Sequence, residues 1–98
     1  MSDVTVVRIY LNEKESRLDK LLRFLHEEEQ LRGVTAFRGI AGFGASGELH
    51  TARTLDIALD LPIVVEFFDT PEKVVRILAD LRERVDVNHV ISWDARLQ

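Results

Sequence analysis

The sequence FRGIAGFGASGELHT, residues 37–51, separates two apolar, regular segments and contains four of the chain's five glycines, at positions 39, 42, 44 and 47. Glycine weakens regular structure and adopts positive φ without steric cost, so such a cluster is typical of a shaped or moving loop. Ligand and partner contacts concentrate on loops held by a rigid scaffold. This glycine-rich loop is therefore the first candidate for a functional site.

The segments around the loop have the apolar pattern of strands. Strands are predicted at residues 4–11, 34–40, 63–68 and 87–93, followed by a short tail at 95–98. The first, third and fourth are apolar on both faces, which is typical of strands covered on both sides. Arg8 and Glu66 are charges within these strands, and we expect ion pairs there rather than ligand contacts.

Two further segments have the pattern of helices. Ser16 can cap a first helix with leucines at 18, 21, 22 and 25, which fades through an acidic run at 27–29 and ends at Gly33. The acidic run is expected to be solvent-exposed. Thr70 caps a second helix with Pro71 at its first position.

This order predicts one α+β domain over residues 1–98 with the ferredoxin-like βαββαβ arrangement, in which the glycine-rich loop connects the second and third strands. Both helices would cover one face of the sheet. Since the strands are also apolar on the other face, we expect that face to meet other subunits.

Composition excludes several classes of function. Hydrophobic residues make up 46% and charged residues 31%, as in soluble globular domains, and no apolar run approaches the ~18 residues of a membrane span. No signal-peptide pattern is present, so a cytoplasmic protein is expected. The absence of cysteine excludes disulfides and thiolate sites. A net charge of −4 argues against a nucleic acid partner.

The glycines at 42, 44 and 47 match the dinucleotide-binding pattern G-x-G-x-x-G. Residues 48–59 lack an amphipathic helical stripe and the chain is too short for a two-part Rossmann fold, so we reject that interpretation. A glycine-rich run of N–H groups can still cradle an anion, with Arg38 and Arg53 supplying charge. The scattered histidines give no metal spacing, and no catalytic set or cofactor is predicted.

Three segments, RGIAGFG (38–44), HT (50–51) and DLPIVVE (60–66), resemble the PII-like proteins of unknown function, a family related to the PII nitrogen regulators. The resemblance implies a homotrimer with its sheets packed inward. It also implies a mobile loop that docks on a partner such as a membrane transporter or enzyme, and nucleotides bound in clefts between subunits. Two features depart from PII proteins: residues 82–87 contain no second glycine-rich loop, and the only tyrosine, Tyr10, lies outside the loop.

The resulting hypothesis is a non-enzymatic, trimeric regulator that binds a small anionic ligand, with an adenine nucleotide as one candidate. The predicted ligand-binding residues are Arg38, Gly39, Gly42, Phe43, Gly44, His50 and Arg53. The loop tip, residues 45–54, is expected to be poorly ordered without ligand. Two alternatives stay open: an interaction subunit without ligand, and a small αβ-barrel enzyme that uses Arg38, His50 and Glu66.

Overall fold

The computed structural model describes residues 2–12, 17–31, 33–43, 50–51, 62–85, 87 and 89–98. The strands are β1 (Ser2–Asn12), β2 (Thr35–Arg38), β3 (Ala41–Gly42), β4 (His50–Thr51), β5 (Pro62–Asp69) and β6 (His89–Leu97). The helices are α1 (Arg17–Arg23), which continues as a π-helical turn (Phe24–Glu28), and α2 (Pro71–Arg84).

One antiparallel sheet has the strand order β2-β5-β1-β6, and β3 pairs with β4 in a separate two-stranded sheet. This is the ferredoxin-like arrangement with an additional hairpin in the connection between β2 and β5. The predicted fold is confirmed. None of the described helices is long and apolar enough to cross a membrane.

The core lies between one face of the sheet and the two helices. Alternate residues of β1 and β5 point into it, as the period of a strand requires. On α1 and α2, residues spaced three and four apart form the opposing stripes. The fully or almost fully buried core side chains include Val7, Ile9, Leu21, Leu25, Ile63, Val65, Phe67, Val74, Ile77 and Leu81.

Helix α2 begins where the sequence predicts. The backbone N–H of Lys73 donates to Thr70 Oγ1 over 3.3 Å, and Pro71 occupies the first helical position, where its missing N–H leaves no bond unmade. Lys73 also pairs with Asp69 at 3.3 Å. At the other end, the N–H of Val85 donates to the carbonyl of Leu81 over 2.9 Å. The predicted Ser16 cap of the first helix lies outside the described residues.

The first helix ends earlier than the predicted stop at Gly33. Gln30 has a φ of 53°, a left-handed conformation that interrupts the helix. The N–H of Leu31 then donates back to the carbonyl of Leu25 over 3.3 Å, and the Leu31 side chain enters the core. The expected exposure of the acidic run is wrong for Glu29, which is only 8% exposed, whereas Glu27 and Glu28 are exposed.

Two strand boundaries also differ from the prediction. Strand β6 begins at His89 and continues through Leu97, so residues 95–97 are not a tail. They extend the strand because β1 starts at Ser2 and supplies their pairing partners. Strand β2 is shorter than predicted and ends at Arg38, since the chain bends around Gly39 and Ile40.

Candidate functional site: the base of the glycine-rich loop and the open face of the sheet

The base of the loop is organised around Pro62, the first residue of β5. The N–H of Gly39 donates to the carbonyl oxygen of Pro62 over 2.7 Å. A Cβ atom at Gly39 would stand 2.8 Å from Pro62 Cγ, a distance that real Cβ atoms essentially never show. Gly39 is therefore required by the close approach of its backbone to the proline ring. The sequence marks Pro62 as the start of a strand but gives no sign of this contact.

The hairpin β3–β4 brings two of the predicted site residues together. Gly42 lies opposite His50, and Ala41 lies opposite Thr51. A Cβ at Gly42 would be 3.4 Å from Pro62 Cγ, an ordinary contact, so this glycine also lies against the proline. Gly39 and Gly42 thus both lie against Pro62, and the backbone of His50 pairs with that of Gly42.

The other predicted residues are placed differently. Arg38 is exposed on β2 and lies opposite Ile63, which points into the core, so the two residues share the helix-covered side of the sheet. Phe43 is 73% exposed beside β3. Gly44 and Arg53 lie outside the described residues. So does most of the loop tip, 45–54, of which only the paired backbone at 50–51 is described.

The face of the sheet opposite the core has a charged pair at its centre. Arg8 Nε and Glu66 Oε1 are 2.7 Å apart, which confirms the ion pair expected there. The guanidinium lies over the ring of Trp93, 5.5 Å from its centroid, within the range of a cation–π contact. Hydrogen bonds to Glu66 and then to Tyr10 raise the pKa of Arg8, so its positive charge is fixed.

Large apolar side chains surround this pair. The strand register places them on one surface, which we call the open face, because paired residues of an antiparallel sheet point to the same side. In the described part of the chain, both helices pack on the other side. The exposed large residues of the open face, with their exposed fractions, are Tyr10 (39%), Phe37 (50%), Phe68 (49%), Ile91 (49%) and Trp93 (40%).

The strand register places Arg38 and Glu66, two residues of the αβ-barrel enzyme alternative, on opposite sides of the sheet. Glu66 is opposite Thr35 and Arg8 on the open face, whereas Arg38 is on the helix-covered side. Arg38 and Glu66 are therefore not brought together. Among the described residues, no group of three or more His, Asp or Glu side chains could hold a metal ion.

Two clefts lie on the described part of the single subunit. One cleft of about 490 Å³ lies between the first helix and the end of α2, with Arg23, Glu28 and Arg84 in its lining. Another, of about 670 Å³, lies at one end of the sheet beside Thr35, Phe68 and Lys73. Neither cleft is lined by Arg38, Gly39 or the β3–β4 hairpin.

Comparison with known proteins gives the family. The model of the DUF190 family, described as "Uncharacterized ACR", matches residues 4–97. The chain belongs to the DUF190 family. A UPF0166 protein of Aquifex aeolicus is 36% identical to this DUF190 chain over 81 residues, which cover 79% of the chain and 77% of the relative.

Solved structures share the fold of this DUF190 protein. CPII, a nitrogen regulatory PII-like protein from Thiomonas intermedia bound to ADP and bicarbonate, superposes with a TM-score of 0.69 at 16% identity, covering 98% of this chain and 89% of CPII. A protein of Thermus thermophilus described as PII-like and signalling gives a TM-score of 0.62 at 23% identity, covering 95% and 85%. The predicted PII-like fold is confirmed.

Proposed function

We propose that this DUF190 protein is a trimeric, non-enzymatic PII-like regulator that binds a small anionic ligand between subunits, at the base of the glycine-rich loop. The loop then presents a ligand-dependent surface to a protein partner such as a membrane transporter or enzyme. The observation that carries the proposal is the packing of Gly39 and Gly42 on Pro62, which fixes the exit of the loop next to Arg38.

The chemistry at this position suits an anion. Arg38 ends β2 immediately before the glycines, and arginine donates charge-assisted hydrogen bonds to phosphate or carboxylate groups. The backbone of a glycine-rich loop can approach such a group closely, because there is no Cβ between the N–H groups and the ligand. CPII, which has the same fold, was solved with ADP, AMP and bicarbonate, and this guides the choice of ligands to test.

The open face supports the assembly. Five large hydrophobic residues share this surface and are partly exposed in the single subunit, and extended apolar patches of this kind mark interaction sites. At its centre, Arg8 and Glu66 of the same subunit neutralise each other's charge. A second subunit can therefore cover this pair without burying an unpaired charge. Packing three such faces together would place the loop bases near the seams between subunits.

Ligand binding is tested by calorimetry with ADP, AMP and bicarbonate, each titrated separately into wild type, Arg38→Ala and the control Arg82→Ala. Arg82 is exposed on α2, so its variant removes an equal charge from a different element of the chain. Loss of a charge-assisted contact costs about 1.5–3 kcal/mol, and we expect Arg38→Ala to weaken binding at least about tenfold. Equal affinity in both variants would refute the site. Absence of binding to wild type would favour the interaction subunit without ligand.

Assembly is tested by light scattering, where the trimer gives three times the 11.2 kDa chain mass. Ile91→Glu, on the open face, is expected to yield monomers. It would place a second carboxylate opposite Arg8, which Glu66 already neutralises, and so bury one net negative charge per subunit. Val75→Glu is the matched control, because Val75 is a β-branched residue 71% exposed on α2. A monomeric wild type, or a trimeric Ile91→Glu, would contradict the proposed packing.

A further inference from the structure

His89, the first residue of β6, lies on the open face. It pairs with Tyr10 of β1, and paired residues of an antiparallel sheet point to the same side. The next residue, Val90, packs against the core on the other side, as the alternation of a strand requires. The His89 side chain is exposed in the single subunit. The open face therefore carries an imidazole among its large apolar residues.

Few ionisable groups share this face among the described residues of the sheet. Arg8 lies opposite Ile91 and is therefore the diagonal neighbour of His89, but it is already bonded to Glu66 of β5. Tyr10 contributes a phenol, which is uncharged near neutral pH. Imidazole is the one ordinary side-chain group that changes its charge between about pH 5 and 8. The described part of the face is thus neutral with a neutral His89 and gains one positive charge per subunit when His89 is protonated.

We propose that assembly through the open face is proton-linked: the trimer forms while His89 is neutral and dissociates when His89 is protonated. This inference rests on the proposed function, because it takes the packing of the three open faces as given. Tyr10 lies opposite His89, and Ile91 lies two positions along the same strand. A subunit that covers both of these apolar residues therefore also covers the imidazole between them.

A protonated imidazole would find no free counter-charge under such a cover. Glu66 is the only carboxylate on the described part of the open face, and its partner is Arg8. Each neighbouring subunit contributes the same face, so it brings the same neutralised pair and the same Tyr10. Removing an unpaired charge from water is costly, whereas a neutral imidazole is removed at much lower cost.

The direction of the response follows from linkage. Above about pH 6.5, histidine is neutral in free and assembled subunits alike, and the trimer has its full stability. As the pH falls below this value, the free subunit binds a proton that the trimer excludes, and the equilibrium shifts toward free subunits. Three subunits then take up three protons on dissociation, so the association constant of the trimer should fall by up to about a thousandfold per pH unit.

The test is sedimentation equilibrium of wild type, His89→Gln, His26→Gln and His50→Gln from about pH 8 to about pH 5.5, a range that stays above the titration of ordinary carboxylates. Glutamine keeps a polar amide without titrating, so His89→Gln should assemble equally well across the range. His26 is exposed in the π-helical turn, and its variant should keep the wild-type dependence on pH. His50, whose side chain lies outside the described residues, completes the set of three histidines.

Two results of this comparison would overturn the proposal. One is an equal pH dependence in wild type and His89→Gln, and the other is a dependence that His26→Gln or His50→Gln removes instead. A wild type that is monomeric at about pH 8 would refute the proposed trimer itself. A trimer whose association constant stays unchanged down to about pH 5.5 would refute only the proton link.

Trp93 gives a second measurement on the same face. It is the only tryptophan of the chain and is 40% exposed in the single subunit. On acidification its emission should move to longer wavelength in step with the loss of mass in wild type, and it should stay unchanged in His89→Gln. Loss of mass without this shift would mean that dissociation occurs at another surface. Loss of the circular dichroism of the fold would mean unfolding rather than dissociation, and either result overturns the proposal.

Discussion

A methyl group at position 39 would meet the ring of Pro62. The added Cβ would lie 2.8 Å from Pro62 Cγ and 3.3 Å from the Pro62 carbonyl oxygen. The backbone cannot simply move away, because the N–H of Gly39 is already bonded to that oxygen at 2.7 Å. A proline ring also has little freedom to give way. Overpacking of this kind typically costs about 1–3 kcal/mol, and we expect Gly39→Ala to lower the free energy of unfolding by that amount.

The chain offers matched controls for this prediction. A Cβ at Gly33 meets nothing within 4 Å, and one at Gly42 reaches only ordinary contact at 3.4 Å. None of the three glycines has a φ in the left-handed region, so backbone strain does not enter. Gly33→Ala should be neutral or stabilising by about 0.4–1 kcal/mol, since alanine restricts the unfolded chain. The effect of Gly42→Ala on the free energy of unfolding should lie between those of Gly33→Ala and Gly39→Ala.

The assay is urea unfolding of the three variants at one protein concentration, because assembly makes apparent stability concentration-dependent. Replacing Pro62 with alanine in the Gly39→Ala background should recover part of the loss, and the double-mutant cycle measures that coupling. The free energies of unfolding of Gly39→Ala and Gly33→Ala should differ by more than about 0.5 kcal/mol. A smaller difference, or a cycle without coupling, would refute the steric contact between position 39 and Pro62.

Further predictions concern the helix ends. Gln30→Gly should stabilise the protein by up to about 1 kcal/mol, because glycine adopts the observed φ of 53° without the steric cost of a Cβ; an unchanged or lower unfolding midpoint would contradict this. Thr70→Ala should destabilise it by about 1 kcal/mol through loss of the cap to Lys73, whereas Thr70→Ser should retain most of the stability. Equal losses in the two Thr70 variants would show that the hydroxyl is not the stabilising group.

Local signals were sufficient to predict the order of the elements. The leucine stripe of the first helix and the Thr70–Pro71 start of α2 each depend on neighbours in sequence, and each is confirmed. The predictions were wrong where residues that are distant in sequence determine the local structure. Residues 95–97 become strand because Ser2 and its neighbours pair with them. Glu29 looks solvent-exposed in an acidic run, yet only 8% of it is exposed in the folded chain.

The position of the glycine-rich turn was predictable from the sequence, whereas its role as a ligand site stays a prediction. The glycine cluster indicated where the chain turns, and the hairpin brings Gly42 and His50 together there. The sequence could not reveal that Gly39 accommodates Pro62, since the two are brought together only when β2 pairs with β5. Nor could it assign Glu66 to Arg8 rather than to Arg38, because register decides which charges share a face. The contributions of Gly44 and Arg53 stay predictions.

The position of β1 in the sheet has a consequence for synthesis of the chain. This strand is synthesised well before its two neighbours in the sheet, β5 and β6, and Ser2 pairs with Leu97 of the last described strand. Contacts so distant along the chain slow folding, and sheets dominated by them form in about milliseconds to seconds. Until β6 emerges, a nascent chain presents an apolar strand with an unpaired edge, a feature that invites aggregation. We therefore expect translation pauses before β6 to lower the yield of folded protein more than pauses elsewhere.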